Sequence, residues 1–169
     1  MSEESYKFGP WPIGDTEVFA TSSLCFAFVN LKPIVPGHVL VSTKRVVPRF
    51  TELTVEETQD LWNLAQQVGR MLEKHYQASS LTLTIQDGPD AGQTVPHVHI
   101  HVLPRTKGDF EPNDTVYDEI DSSSKEFAAK KEQDDEGKQE KKQNLDEARP
   151  ERSAEDMAAE ALAYRAYFT

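Results

Sequence analysis

Three of the chain's five histidines stand at alternate positions in one short run, His97-Val98-His99-Ile100-His101-Val102-Leu103. Strand geometry puts His97, His99 and His101 on one face, neighbours about 6.6 Å apart, and turns Val98, Ile100 and Val102 into a core behind them. A strand divided this way needs a packed layer on one side and leaves a row of imidazoles on the other. A lone strand histidine is an ordinary polar residue. Three on one face ask for a chemical reason.

The neighbouring segments supply the layer. Phe26, Phe28 and Asn30 share one strand face, with Ala27 and Val29 on the other. Pro33, Pro36 and Gly37 punctuate a turn before a second strand, His38-Val39-Leu40-Val41-Ser42. Leu81, Leu83 and Ile85 alternate with Thr82 and Thr84 until Gly88, Pro89 and Gly92 break the pattern, and Pro104 is expected to end the histidine strand. Between them, Thr54 and Glu57 have capping-box spacing, and Leu61, Leu64, Ala65, Val68, Met71, Leu72 and Tyr76 form the stripe of one long helix. Short turns join the strands, which predicts an antiparallel α+β domain over residues 1–120.

Residues 121–152 differ in kind. Eight basic residues face ten acidic ones, with Phe127 the single aromatic. So little apolar surface does not offset the entropy of ordering, which predicts a disordered insert. Ser153 then caps a last helix over 153–169, whose stripe of Met157, Ala161, Tyr164 and Phe168 packs on the domain or on a second subunit. Cys25 reads as a packing residue, Trp11 and Trp62 as core or subunit-contact residues, and His75 as a partial cation at a helix C-terminus.

The imidazole row admits two chemistries. Histidines at i and i+2 can share a zinc ion, but the outer pair lies about 13 Å apart, so a further ligand would have to come from elsewhere. Alternatively, one imidazole attacks phosphorus while its neighbours donate to phosphate oxygens. Neutral imidazole is a good nucleophile near pH 7, and His99, flanked on both sides, is the favoured one. The glycine-punctuated loop Gln86-Asp87-Gly88-Pro89-Asp90-Ala91-Gly92-Gln93-Thr94-Val95 leads straight into the row and supports the second chemistry, because such a loop can turn successive N–H groups toward a phosphate.

Charge narrows the ligand. A net charge of −11 with no basic stripe argues against a nucleic-acid polymer and leaves a small anion held by local donors. No run of about 18 apolar residues suggests a membrane span, residues 1–9 do not read as a secretory leader, and a single cysteine fits a reducing compartment. A cytoplasmic location is expected. The pairs Lys130-Lys131 and Lys141-Lys142 leave a nuclear one open, though a solvated charge run explains them as well.

With these residues in place, the chain resembles the histidine triad superfamily, whose signature is His-x-His-x-His followed by apolar residues. Phe28-Val29-Asn30, the run Lys32 to Val41, Gln86-Asp87-Gly88-Pro89, Leu103-Pro104-Arg105, Gly108-Asp109-Phe110, Asn113-Asp114 and Met157-Ala158-Ala159-Glu160 are similar to its fragile histidine triad branch of dinucleoside polyphosphate hydrolases. The likeness covers roughly residues 8–120 and the last helix. It implies a five-stranded antiparallel sheet with one long helix and a C-terminal helix, the sheet continued across a homodimer. It also implies that His99 is the nucleophile and carries the nucleotidyl group, that His97 and His101 hold phosphates, and that His38 buttresses the row. Asn30 would bond the ribose and Phe28 would line the base pocket, with Phe8, Ile13 and Leu40 as weaker candidates. Gln86, Gly92, Gln93, Thr94 and Val95 would contact ribose and phosphates, Gln93 near the scissile bridge. A divalent ion, Mg or Mn, would arrive with the substrate, with no dedicated protein ligands. Pro96 departs from a donor role, since it has no N–H.

Within the superfamily, His101 favours hydrolysis over transfer, and a single cysteine excludes a zinc-finger branch. The rivals are a purine nucleoside phosphoramidase and a signalling protein whose nucleotide complex is the active form. For the second, Tyr117 lies in an acidic stretch resembling a phosphorylation site, or is an ordinary loop tyrosine. Adenylyl sulfate and phosphoramidates share the same nucleotidyl centre and are expected side substrates.

Overall fold

The structure is a computed structural model that describes residues 5–135 and 152–169. An N-terminal hairpin, β1 (Tyr6–Phe8) and β2 (Trp11–Ile13), precedes a sheet formed by β3 (Val18–Thr21), β4 (Cys25–Val29), β5 (Val39–Thr43), β6 (Ser80–Thr84) and β7 (His99–Arg105). Its order is β3-β4-β5-β7-β6, antiparallel throughout. The helices are α1 (Val55–Tyr76), α2 (Thr115–Asp135) and α3 (Ala154–Arg165). The expected α+β sheet, the long helix α1 and the C-terminal helix form, together with a second long helix, α2, that the expectation lacked.

α1 lies across β4, β5 and β7. Thr54 accepts from the Glu57 N–H while Glu57 accepts from the Thr54 N–H, so two orphan donors of the first turn are satisfied reciprocally. Leu61, Leu64, Ala65, Val68, Met71 and Leu72 are buried along its expected stripe. α3 starts at the Ser153 cap, packs on β3 and β4, and buries Met157, Ala161 and Tyr164. Cys25 is wholly buried, and burial pushes its thiol up from its ordinary range. Among the described residues, no helix is long and apolar enough to cross a membrane.

Two boundaries differ from expectation. The histidine strand starts at His99 rather than His97, because the His97 N–H bonds the Val95 carbonyl and the Val98 N–H bonds the Val47 carbonyl. It also runs through Pro104 to Arg105. β5 ends at Val39 opposite Val102, so Pro104 lies beyond that ladder and pairs with β6 alone.

The larger correction concerns residues 121–152. No break falls at residue 120: α2 continues to Asp135, and Ser123, Ser124 and Phe127 are buried. Val116 and Ile120 anchor its first half in a small second core with Leu103, against Ile34, Val35 and Phe110. The helix is therefore held by packing its sparse apolar residues and by side-chain hydrogen bonds. The rest of the expected insert, residues 136–151, lies outside the described residues. Tyr117 sits in the first turn of α2, not in a loop, and is 52% exposed.

Gly37 tests the turn that launches β5. Its φ is +86°, and an added Cβ would stand 2.5 Å from the Tyr76 ring and 2.8 Å from the Pro104 ring. Gly37→Ala therefore combines a left-handed backbone with overpacking, and is expected to cost about 2–4 kcal/mol in urea unfolding.

Candidate active site

The geometry of the histidine cluster follows from groups that can only donate. The Gly9 N–H, in the β1–β2 turn, donates to His97 Nδ1 at 3.0 Å. His97 must then carry its proton on Nε2, which donates to the Thr43 carbonyl at 2.8 Å, with Thr43 Oγ1 at 3.2 Å. Gly9 has φ +58°, and a side chain there would meet Val95 at 2.7 Å. The turn thus needs glycine to bring this amide to the ring. The His97 carbonyl in turn accepts from His99 Nδ1 at 2.7 Å, which leaves the lone pair of His99 on Nε2.

A second chain of donors starts at Ile34, whose N–H donates to His38 Nδ1 at 3.2 Å. The His38 proton therefore sits on Nε2 and is directed to His101 Nδ1 at 2.9 Å. His101 is left with its proton on Nε2, a buried atom with no hydrogen-bond partner among the described residues. Asn30 lies beside this pair, its amide nitrogen 3.3 Å from His38 Nε2 and its Oδ1 accepting from the Lys32 N–H at 2.9 Å.

Burial keeps these rings neutral. His99 is held down at about 4, chiefly by burial, with the His97 carbonyl opposing and the nearby His97 ring adding. Burial also depresses His101 well below its ordinary value, reinforced by His99 and His38. His97 is lowered by burial against the opposing bonds from the Thr43 and Arg45 backbones. The cluster thus presents one nucleophilic lone pair and one unmet N–H donor, with ring centroids of His99 and His101 5.0 Å apart. No three His, Cys, Asp or Glu side chains among the described residues are placed to share a metal ion, so the zinc chemistry has no ligand set there.

A small cavity adjoins the two rings, lined by Phe8, Asn30, Leu40, Thr94, Val95, His99, His101 and three residues of α2. Of the expected site residues, the structure brings together His38, Asn30, Gln86, Gly92, Thr94, Val95, His99 and His101, with Phe8 and Leu40 on the cavity wall. Four are not brought to that cavity. His97 has both nitrogens engaged and is fully buried, so it orients His99 and cannot hold a phosphate. Phe28 is buried behind Phe8, at 5.2 Å between ring centroids, and does not line the cavity. Gln93 is turned away, accepting from the Gly88 N–H and donating to the Pro48 carbonyl. Ile13 is a core residue outside the cavity lining.

Sequence reasoning missed Gly9, Ile34 and Thr43, which set the ring tautomers through main-chain groups and therefore leave no side-chain signature. It also missed Ser123, Ser124 and Phe127. These fall inside the run read as disordered, where a serine triplet four residues before a lone phenylalanine was the available signal.

A family model described as HIT domain matches residues 14–108. The chain is 54% identical over 164 residues to the Arabidopsis thaliana bifunctional bis(5'-adenosyl)-triphosphatase/adenylylsulfatase FHIT, covering 97% of this chain and 84% of that protein. It is 56% identical over 114 residues to the Dictyostelium discoideum bis(5'-adenosyl)-triphosphatase, covering 68% of this chain and 76% of the other. Among solved structures, the Caenorhabditis elegans NitFhit protein superposes with a TM-score of 0.72 at 42% identity over 99% of this chain, which spans 31% of that longer polypeptide.

The depressed histidines make stability depend on pH. Above the unfolded value of about 6.5 both states leave His99 neutral and nothing is lost. As pH falls from there toward about 4, the unfolded chain takes up a proton that the folded one refuses. Stability should fall across that window by about 3 kcal/mol from His99 alone. Asp109, held at about 2 mainly by its bonds to Arg105, adds its own loss only at lower pH. Urea unfolding at pH 7.5 and pH 5 checks the effect, and His99→Asn should flatten the slope.

Proposed function

The chain belongs to the HIT domain family, in its fragile histidine triad branch, and from that premise we propose that it hydrolyses dinucleoside polyphosphates, cutting diadenosine triphosphate to AMP and ADP. The observation that carries the reading is the paired state of His99 and His101: one ring offers a lone pair on Nε2 beside another that offers an unmet N–H.

His99 Nε2 attacks the phosphorus of a nucleotidyl group, forming an N–P bond as the bridging P–O bond breaks. ADP leaves with the electron pair of that bond, and the nucleotidyl group stays on His99. His101 Nε2–H donates to a phosphate oxygen as charge builds there, a donor already in position that needs no reorganisation. The His99 Nδ1–H, held by the His97 carbonyl, keeps the ring aimed and delocalises the positive charge that develops on bonding. Water then attacks the same phosphorus, its oxygen entering AMP, and the N–P bond breaks to restore His99. Asn30, Gln86, Thr94 and Val95 bind ribose and phosphates, and Phe8 with Leu40 lines the nucleoside pocket. A divalent cation, Mg or Mn, would accompany the substrate and offset the charge of its phosphates. Adenylyl sulfate presents the same nucleotidyl phosphorus and is a second substrate.

The working unit is a homodimer formed along the β6 edge. Leu83 on β6 is 43% exposed and Trp62 on α1 is 40% exposed, and both border a groove of about 490 Å³ with Leu81, Ala65 and Gln66. An edge strand with unpaired backbone beside an apolar groove favours pairing with a second copy. Leu83→Glu is expected to give monomers in sedimentation.

Two measurements test the chemistry. His99→Asn should lower kcat by at least the roughly 10²–10⁴-fold of a positioned catalytic group. Hydrolysis of diadenosine triphosphate in heavy-oxygen water should label AMP and leave ADP unlabelled. Label in ADP, or full turnover without the His99 ring, would contradict the reading.

A further inference from the structure

Resting on the hydrolase reading above, we propose that the second half of α2 is a built-in competitor of the nucleotide, occupying its site and leaving when substrate binds. The cavity beside His99 and His101 measures about 10 Å³. That is room for about one water molecule, where sites for small organic ligands run to hundreds of Å³. The missing space is filled by Ser123, Ser124 and Phe127.

The filling mimics a nucleotide group by group. Phe127 stands edge-on to Phe8 at 5.4 Å and to Trp11 at 6.3 Å, an aromatic ring on the wall assigned to the base. Ser124 Oγ donates to Gln86 Oε1 at 3.1 Å, and Thr94 Oγ1 donates to the Ser124 carbonyl at 2.9 Å. Ser123 Oγ donates to the Lys32 carbonyl, next to Asn30. These are polar groups set against the residues assigned to the ribose and phosphates. Asp121 places a carboxylate against Gly92 and within 3.5 Å of Gln86 Nε2, an anion at the loop assigned to phosphates. An aromatic ring, hydroxyls and an anion thus meet the partners that a bound nucleotide would take.

The helix is also built to release this half. Val116 and Ile120 anchor the first half in their own core with Leu103. After Ile120, Phe127 is the single large apolar side chain buried among the described residues of the helix. The junction is Ser122-Ser123-Ser124, a triplet that forms helix poorly because serine hydroxyls compete for backbone groups. The hydrogen bonds across the site are between neutral groups or to a partly exposed carboxylate, and water replaces such bonds at small net cost.

The test uses the 169-residue chain. AMP at saturating concentration should speed hydrogen exchange of the backbone over residues 121–135 in the wild-type protein. Exchange that is unchanged, or slowed by a helix closing over the nucleotide, overturns the proposal. Kinetics give a second arm. Phe127→Ala should lower KM for diadenosine triphosphate at least three-fold without lowering kcat, while Ser122→Ala, an exposed change that strengthens the helix, should raise KM about two-fold. A KM in folded Phe127→Ala that is unchanged or raised also overturns it. Should Phe127→Ala fail to fold, the wild-type exchange result decides alone. A wild-type protein that neither binds AMP nor hydrolyses diadenosine triphosphate defeats the hydrolase reading itself, a result distinct from either.

Discussion

Two backbone amides order the chemistry of the whole site. The N–H groups of Gly9 and Ile34 can only donate, and each meets a histidine Nδ1. From those two contacts the proton positions of His97 and His38 follow, and from His38 the state of His101. The position of His99's proton follows from the carbonyl of His97. None of these bonds uses a full charge, so the cluster can be buried without an ion to compensate. Burial then keeps it neutral, the state in which His99 Nε2 has a free lone pair and His101 Nε2 carries a proton to donate.

This arrangement explains why residues that look equivalent in sequence diverge in role. His97, His99 and His101 share a period of two, yet the chain leaves the β5 ladder before His99, and the first ring turns to Thr43 and Gly9. The one hydrogen bond between His97 and His99 is accepted by the carbonyl of His97. The open pair leaves His101 Nε2 without a partner among the described residues, a donor that a phosphate oxygen can meet. A site that holds such a donor unsatisfied gains affinity for anything that supplies an acceptor.

The sequence carried those features whose signal is periodic or capped. The strand pattern around Phe26–Asn30, His38–Ser42 and Leu81–Ile85, the Thr54–Glu57 capping box and the α1 stripe all reappear within a residue or two. So does the convergence of His38, Asn30, Gln86, Thr94 and His99. What it hid has a common physical cause. The roles of Gly9, Ile34 and Thr43 rest on main-chain atoms that every residue possesses. The Gln93 amide is taken by the Gly88 N–H within its loop and by the Pro48 carbonyl, a partner distant in sequence that no local pattern names. α2 has no continuous apolar stripe, since its hold on the site uses serines, so a rule that weighs hydrophobic burial alone reads it as unfolded.

Phe8 joins the two halves of this picture. Its ring lies 4.7 Å from His99 and 5.9 Å from His97 on one side, and 5.4 Å from Phe127 on the other. The residue after it supplies the amide that fixes His97. The hairpin is therefore at once the wall of the pocket and the origin of the catalytic proton order. If Phe127 withdraws and a flat base takes its place, Phe8 exchanges one aromatic neighbour for another while Phe28 still supports it from behind at 5.2 Å. The Gly9 amide need not move for that exchange to occur. Occupancy of the pocket can then change while the lone pair on His99 stays aimed, because the groups that aim it are tied to the sheet and the hairpin, and none belongs to α2.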